Sequence, residues 1–213
     1  PLVRFLETRF DTTLTEESRV RRNPRIPDHL VHVCVYFLDP SLILTCRGLT
    51  PMDGDALRRL SSRVAVVLAF GRRDVITSYQ LTKLREWVTR DVKAHDIPIY
   101  DFPDDTNEDE PSELNAELRA LIPLALMNGE ESLEDDETGS PQRARTPVHD
   151  GPSPRAEGPP KLARTFPWGD LHVTDPADCD TSRLVEAIVS THREELRLHT
   201  RENVYERWRT DKL

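Results

Sequence analysis

Asp74 ends a polar loop, residues 71–74 (GRRD), which directly follows an apolar run at residues 64–70 (VAVVLAF). A carboxylate in this place can accept two hydrogen bonds, from the N1–H and N2–H groups of a guanine base, which adenine cannot donate. Arg72 stands two residues earlier, and its planar guanidinium can stack on a base. The loop is therefore a candidate purine-binding site, although an Asp before a helix is also an ordinary turn residue.

A second polar loop, Asn128-Gly129, follows another apolar run at residues 122–127 (IPLALM). Asn adopts a positive φ more readily than most residues, so we expect Asn128 to hold a turn here. In an open parallel sheet, ligands bind at the carboxyl ends of the strands. The loops after Phe70 and Met127 are therefore where we expect a ligand.

Residues for phosphate chemistry do not occur in this sequence. A phosphate loop needs the pattern GxxxxGK[ST], whose backbone N–H groups cradle the phosphates. The string at residues 136–139 (DETG) does not follow a strand-like run, and residues 104–109 lack the glycine and glutamate positions of a calcium loop. The histidine spacings are those of surface or core histidines. We assign no catalytic residue and no metal ligand.

The charge balance limits the possible partners. A net charge of -9 and a pI near 5.3 disfavour nucleic acid, which requires a basic face. The arginines at positions 19, 21, 22 and 25 are a local exception. We interpret them as a solvated loop, with a phosphate or membrane-surface contact as the alternative.

Hydropathy and cysteine spacing predict the cellular compartment. No apolar run reaches the length needed to span a bilayer, and the first residues lack a signal-peptide pattern. Cys34, Cys46 and Cys179 form no CxxC pair, so neither a disulfide framework nor a zinc site is indicated. We expect a cytoplasmic protein with reduced thiols, and with Cys34 buried in a strand.

Hydrophobic periodicity predicts an α/β fold. Strands are predicted at residues 31–38, 64–70, 97–102 and 124–127, and helices at residues 2–15, 51–62, 77–95 and 113–121. This alternation is typical of a parallel sheet with right-handed crossovers and helices covering its faces.

Residues 130–160 interrupt the alternation. An acidic run passes into closely spaced prolines with almost no large apolar residue. Such a segment cannot offset the entropy of ordering, so we predict a disordered insertion.

The chain after the insertion regains a regular pattern. Two paired strands are predicted at residues 164–166 and 171–173, around the turn Pro167-Trp168-Gly169. Asp180 or the residue after it is expected to cap a helix, and Thr200 to cap a last, short one.

Several of these segments resemble the septin GTP-binding domain. The match is most specific in residues 164–169 (RTFPWG) and continues through the helix to Tyr205. Earlier segments with the same resemblance are residues 5–10 (FLETRF), 31–37 (VHVCVYF) and 49–53 (LTPMD). The resemblance implies that residues 1–213 are the C-terminal part of one divergent septin-type G domain, with residues 161–213 as the septin-unique hairpin and terminal helices.

The implied fold is a three-layer, P-loop-GTPase-like parallel sheet with helices on both faces. By this resemblance the first strand, the phosphate loop and both switches precede the chain, which we expect to be truncated at its N-terminal side. The implied cofactor is GTP or GDP, with Mg²⁺ only where the preceding part is present. Hydrolysis by this chain alone is not expected.

The resemblance also implies roles for individual residues. Arg72 stands where septins have a Lys whose stem lies over the base, and Asp74 stands where they bind the base edge. Asn128 stands at a Gly whose backbone meets the guanine oxygen, with Gly129 following it. Arg164 aligns with an Arg that lies against the base from the C-terminal element.

Septins polymerise through two surfaces, and the resemblance implies residues on each. Trp168 would belong to the surface across the nucleotide site, and Val204, Tyr205 and Trp208 to the surface formed by terminal helices. We therefore expect a GTP-binding cytoskeletal protein that assembles with other septins into filaments at the cell cortex or division site. Two alternatives stay open: a degenerate septin-like scaffold that binds no nucleotide, and an active small GTPase whose phosphate loop lies in missing sequence.

Overall fold

A parallel sheet forms the centre of the molecule. The structure, a computed structural model, describes residues 1–19, 27–103, 113–131, 162–167 and 169–212. Strands β1 (Val33–Leu38), β2 (Ala65–Phe70) and β3 (Leu124–Ala125) lie in the order β1-β2-β3, all parallel. Every residue of β2 is buried, which requires that both faces of the sheet are covered. The predicted α/β architecture is confirmed.

One helix precedes the sheet, and the crossovers between its strands are helical. The helices are α1 (Leu2–Glu17), α2 (Pro40–Cys46), α3 (Pro51–Ser61), α4 (Ser78–Ala94) and α5 (Glu113–Leu121). Helices α2 and α3 lie between β1 and β2, and α4 and α5 lie between β2 and β3. Helix α4 begins as predicted at Thr77, whose hydroxyl accepts from the Gln80 N–H while the Gln80 side chain accepts from the Thr77 N–H. Its inward stripe is buried at Leu81, Leu84, Val88 and Val92, four positions at helical spacing.

Helix α2 is an element that the sequence pattern did not predict. The Asp39 carboxylate accepts a hydrogen bond from the Ser41 N–H, and Pro40 opens the helix with its fixed φ. The helix ends at Arg47, which adopts a left-handed conformation with φ 54°.

Residues 97–102 are not a strand, and the prediction of one is wrong. A single sheet-like bond ties the segment to β2, from the Tyr100 N–H to the Val66 carbonyl at 2.9 Å. Pro98 has no N–H to donate, and Phe102 has a φ of 38°, so a regular ladder cannot form. The segment is nevertheless part of the core, because Ile97, Tyr100 and Phe102 are buried.

A second, antiparallel sheet contains β4 (Glu130–Glu131), β5 (Leu162–Phe166) and β6 (Gly169–His172) in that order. Phe166 lies opposite Gly169, so β5 and β6 form the predicted hairpin. The prediction of disorder from residue 130 is wrong for the first two residues, because their backbone pairs with Leu162 and Ala163. Residues 132–161 and Trp168 lie outside the described residues.

The C-terminal region contains α6 (Thr181–Glu186), α7 (Arg193–Leu198) and α8 (Glu206–Lys212), with π-helical segments Ala187–Thr191 and His199–Tyr205 between them. Thr200 does not cap a separate helix, contrary to the prediction. Its hydroxyl donates to the Leu196 carbonyl at 2.8 Å, four residues back, so the helical path continues through it.

An aromatic cluster joins α1 to the end of the chain. We define it as Phe10, Leu30, Val204, Tyr205 and Trp208. The Phe10 ring lies 5.8 Å from the Tyr205 ring and 5.2 Å from the Trp208 ring, centroid to centroid. The Tyr205 hydroxyl donates to the Glu17 carboxylate at 2.8 Å. Burial, and then this hydrogen bond, raise the pKa of Tyr205.

Candidate nucleotide-base site

Two loops meet at the carboxyl edge of the parallel sheet. The Leu126 N–H donates to the Phe70 carbonyl at 2.8 Å, and the Arg73 N–H donates to the Leu126 carbonyl at 2.9 Å. These bonds place the loop after β2 beside the residues that leave β3. The expected meeting of the two loops is therefore present.

Asp74 lies in a single 3₁₀ turn, Arg73–Val75, at this edge. Its side chain is only 4% exposed. One oxygen, Oδ2, accepts a hydrogen bond from Arg164 Nη1 at 2.9 Å. The other, Oδ1, is buried and has no donor among the described residues. A buried acceptor without a donor is costly, so this site favours a ligand that brings an N–H or O–H group.

Arg72 has a left-handed backbone, with φ 59° and ψ 47°, and an exposed side chain. For a residue other than Gly this conformation is unusual, and such residues cluster at functional loops. The left-handed residue of the site is thus Arg72. The prediction of a positive φ at Asn128 is wrong, because the chain does not reverse there and continues into β4.

Gly129 lets the hairpin approach the second loop closely. A Cβ atom at this position would lie 2.4 Å from Val173 Cγ2 and 3.2 Å from the Leu162 carbonyl carbon. A larger residue would force the Val173 side chain to move and would lie tightly against Leu162. Asn128 itself is exposed.

Arg164 extends from β5 of the hairpin, and its side chain is 42% exposed. Its guanidinium carbon lies 5.4 Å from the centroid of the Phe166 ring. The structure thus brings Arg164 into contact with Asp74. Arg72 and Asn128 border the same edge with side chains that face solvent.

A buried ion pair between Arg85 and Asp180 supports the second loop. The sequence pattern had instead predicted that Asp180 caps a helix. Arg85 Nη2 donates to Asp180 Oδ2 at 2.9 Å, and the Ala125 N–H donates to the same oxygen at 2.8 Å. The Asp180 N–H in turn donates to the Ala125 carbonyl at 2.8 Å. Asp180 therefore pairs with the outer edge of β3 and makes no side-chain cap bond with α6. Burial lowers the pKa of Arg85, and Asp180 opposes this shift.

The residues expected at an assembly surface face the interior of this chain. Val204 is 7% exposed and Tyr205 is 2% exposed, both in the aromatic cluster against Phe10. Trp208 is partly buried in the same cluster. The assignment of these residues to a subunit interface stays a prediction.

The site's assignment to a guanine base stays a prediction. The unpaired Asp74 Oδ1 matches an N–H of the base edge. In the described part of the chain, no group of three or more His, Cys, Asp or Glu side chains could hold a metal ion. None of the described helices is both long and apolar enough to cross a membrane.

Comparison with known proteins identifies relatives along the whole chain. The Septin family model matches residues 1–147 and 155–213. The Septin homolog spn3 of Schizosaccharomyces pombe is 33% identical, covering 100% of this chain and 51% of that protein. Cell division control protein 11 of Saccharomyces cerevisiae is 32% identical, covering 98% of this chain and 45% of that protein. The chain spans about half the length of these curated relatives.

Two solved structures share the fold. The crystal structure of Cdc11 from Saccharomyces cerevisiae has a TM-score of 0.62 at 23% identity, covering 100% of this chain and 74% of that one. The crystal structure of a septin GTPase domain from Chlamydomonas reinhardtii has a TM-score of 0.65 at 18% identity, covering 98% of this chain and 67% of that one.

Proposed function

Because this chain belongs to the septin family, we propose that it binds a guanine base at Asp74 and acts as a subunit of a septin hetero-oligomer. The observation that carries the nucleotide part is the Asp74 carboxylate, which is 4% exposed and has one buried oxygen without a donor in the described part of the chain. Guanine supplies two adjacent N–H donors, and adenine does not. The proposed ligand is GDP or GTP.

Base recognition in this proposal uses three side chains. Asp74 accepts from the base edge, Arg164 supplies a cationic group in contact with that carboxylate, and Arg72 supplies an exposed one two residues before it. Arg72 replaces the Lys of the family pattern, and its planar guanidinium favours stacking over a point-charge contact. Asn128 and Gly129 border the base from the second loop.

Phosphate binding lies outside this proposal for the 213 residues themselves, which contain no GxxxxGK[ST] run. When present, Mg²⁺ and a phosphate loop neutralise phosphate charge. The side chains described above hold and orient the base only. We therefore attribute recognition of the base, and not hydrolysis, to this chain.

Assembly with other septins is the second part of the proposal. Trp168 lies outside the described residues, and its assignment to the surface across the nucleotide site comes from the family resemblance, with Trp a common interface anchor. The terminal helix offers Trp208, which is only partly buried. Relatives named for cell division and septation support a role at the division site or cell cortex. A third part of the proposal is contact with a membrane surface through the arginines at positions 19, 21, 22 and 25.

A scaffold that binds no nucleotide is the second candidate. The Arg164 guanidinium already occupies Asp74 Oδ2. A base must share that oxygen or displace the arginine. This observation favours a degenerate site, and the alternative therefore stays part of the test.

Nucleotide extraction from the full-length gene product tests the proposal. We expect chromatography of the extract to show GDP or GTP, and the Asp74→Ala variant to lose it. Asp55→Ala is the matched control, since the Asp55 side chain is 69% exposed on α3 and pairs with its neighbour Arg58. No bound nucleotide in the unmodified protein would favour the scaffold. If the protein is purified from cells and no other septin is recovered with it, the assembly part is wrong.

A further inference from the structure

We propose that a cleft at the amino edge of the parallel sheet binds a small zwitterion with an apolar side chain, of the class of the free aliphatic α-amino acids. The cleft has a volume of about 320 Å³, at the lower end of the range for small-molecule sites. Val64 and Ala65, at the start of β2, line it. The base site follows the other end of β2, so this inference goes beyond the proposed binding of a nucleotide.

The lining of the cleft is part apolar and part polar. It comes from the end of α3 and the start of β2, from residues 98–103, and from the terminal helices. The apolar residues are Val64, Ala65, Pro98, Ile99, Pro103 and Val204. Because apolar surface gains free energy when it leaves water, these residues favour a ligand with an apolar side chain.

The terminal helices supply polar groups suited to a carboxylate. His199, Asn203 and Arg207 all line the cleft, and their four-residue spacing places them on one face of the helical path. Asn203 Nδ2 donates to His199 Nδ1 at 3.1 Å, so the proton of the neutral ring is on Nε2. Burial, and then Arg207, lower the pKa of His199, which favours this neutral form. The face thus offers an N–H donor and a guanidinium, and Arg207 has no carboxylate partner among the described side chains.

Residues 98–103 supply the opposite charge. Asp101 lines the cleft, is exposed, and has no cationic partner in the described part of the chain. A ligand that is only an anion would meet Asp101, and one that is only a cation would meet Arg207, so either would face a like charge. A zwitterion meets both residues with the opposite charge. This balance favours an amino acid over a simple carboxylate, phosphate or amine.

Tyr100 is a second, independent indication of a ligand. It lines the cleft and is 6% exposed, and its hydroxyl is buried without a hydrogen-bond partner among the residues that the structure describes. Burial, and then Glu195, raise the pKa of Tyr100, so the hydroxyl keeps its proton and can donate or accept. The His199 ring holds the Tyr100 ring in edge contact, at 5.5 Å between centroids. Because a buried polar group without a partner is costly, a polar ligand atom here would stabilise the protein.

Titration calorimetry on the full-length gene product tests this inference with L-leucine as the probe. Three analogues each lack one feature: N-acetyl-L-leucine lacks the ammonium, isopentylamine lacks the carboxylate, and glycine lacks the apolar side chain. We expect L-leucine to bind, and each analogue to bind at least tenfold more weakly.

Three variants test the residues that carry the argument. Arg207→Gln and Asp101→Asn should each weaken L-leucine binding about tenfold, because each removes one charged contact. Both side chains are exposed, so the fold should not depend on them. Tyr100→Phe keeps the ring and should weaken binding about two- to tenfold, as for one neutral hydrogen bond.

Matched controls make the same chemical changes outside the cleft. Arg201→Gln alters an exposed arginine of the same π-helical segment, and Asp96→Asn alters an exposed aspartate close to Asp101 in sequence. Both should leave the affinity for L-leucine unchanged. Asp74→Ala should also leave it unchanged, because the six residues of β2 separate the two sites by roughly 20 Å.

The outcomes for this inference and for the proposed function are distinct. If L-leucine does not bind, or if N-acetyl-L-leucine or isopentylamine binds as tightly, the inference is wrong. Equal effects of Arg207→Gln and Arg201→Gln would place the ligand outside the cleft, which also overturns it. If L-leucine binds but no guanine nucleotide does, only the proposed function fails.

Discussion

The aromatic cluster and the base site are held together in opposite ways. In the cluster, Phe10 and Tyr205 are nearly fully buried, their rings are in contact, and the Tyr205 hydroxyl has its partner in Glu17. At the base site, the Asp74 side chain is 4% exposed, yet one of its oxygens has no donor among the described residues.

This difference separates stability from recognition. A cluster of packed rings with satisfied polar groups stabilises the folded state without a ligand. A buried carboxylate with an unpaired oxygen stabilises little and gains its partner from a ligand. Mutations in the first region should therefore change stability, and mutations in the second should change binding.

Phe10→Ala should have the largest effect on stability. Phe10 is 1% exposed and contacts both Tyr205 and Trp208, so its removal leaves a cavity between α1 and the terminal helix. We expect a loss of about 3–5 kcal/mol in the free energy of unfolding, measured by chemical denaturation. Phe5→Ala, where Phe5 is 46% exposed, is the control and should cost far less. Equal losses in the two variants would mean that the cluster does not support the fold.

Tyr205→Phe should have a smaller effect in the same cluster. The ring stays, but the hydroxyl that donates to Glu17 at 2.8 Å is removed. The expected loss is about 1.5–3 kcal/mol, as for a hydrogen bond to a charged group. Urea denaturation of this variant and of Glu17→Gln should give similar losses. A loss as large as that of Phe10→Ala would contradict the view that packing dominates here.

Asp74→Leu should change stability least among these substitutions. It replaces a buried charge by an apolar side chain, and Arg164, at 42% exposed, can turn toward solvent. We expect the unfolding free energy to stay within about 1 kcal/mol or to increase. Thermal denaturation without nucleotide provides the measurement. A large loss would show that the Asp74–Arg164 pair is a structural element.

Acid should weaken the fold slightly through two histidines near the terminal helices. Burial lowers the pKa of His199 and of His32 from the ordinary value of 6.5. Because the folded chain binds these protons less readily than the unfolded chain, stability is lost as the pH falls below 6.5. Denaturation at several pH values should show this slope, and the His32→Gln, His199→Gln double variant should reduce it. An unchanged slope in that variant would assign the effect to other groups.

Local sequence patterns were sufficient to predict most of the helices and strands. The apolar, β-branched run of β2 and the capped, periodic run of α4 predict their elements because the signals lie within each segment. Helix α2 has only seven residues, too few for a clear period. Residues 97–102 have the apolar character of a strand, but Pro98 and the backbone of Phe102 prevent a ladder.

The candidate site could be predicted only as far as it is local. Asp74 and the second loop each follow an apolar strand, and this pattern is visible along the chain. The contact of Arg164 with Asp74 spans 90 positions, and that of Asp180 with Ala125 spans 55. Such pairings depend on how the hairpin and α6 pack on the sheet, and no local spacing encodes them. The septin resemblance placed Arg164 near the base, but not on Asp74.

The Asp74→Asn variant of the full-length gene product tests the central claim most directly. An Asn amide both accepts and donates, so it matches the N1–H and 2-oxo groups of xanthine, whereas a carboxylate matches the two N–H groups of guanine. Binding of GDP and xanthosine diphosphate to both proteins is the measurement. We expect the unmodified protein to prefer GDP and the variant to prefer xanthosine diphosphate. If the substitution leaves the preference unchanged, Asp74 does not read the base and the account is wrong.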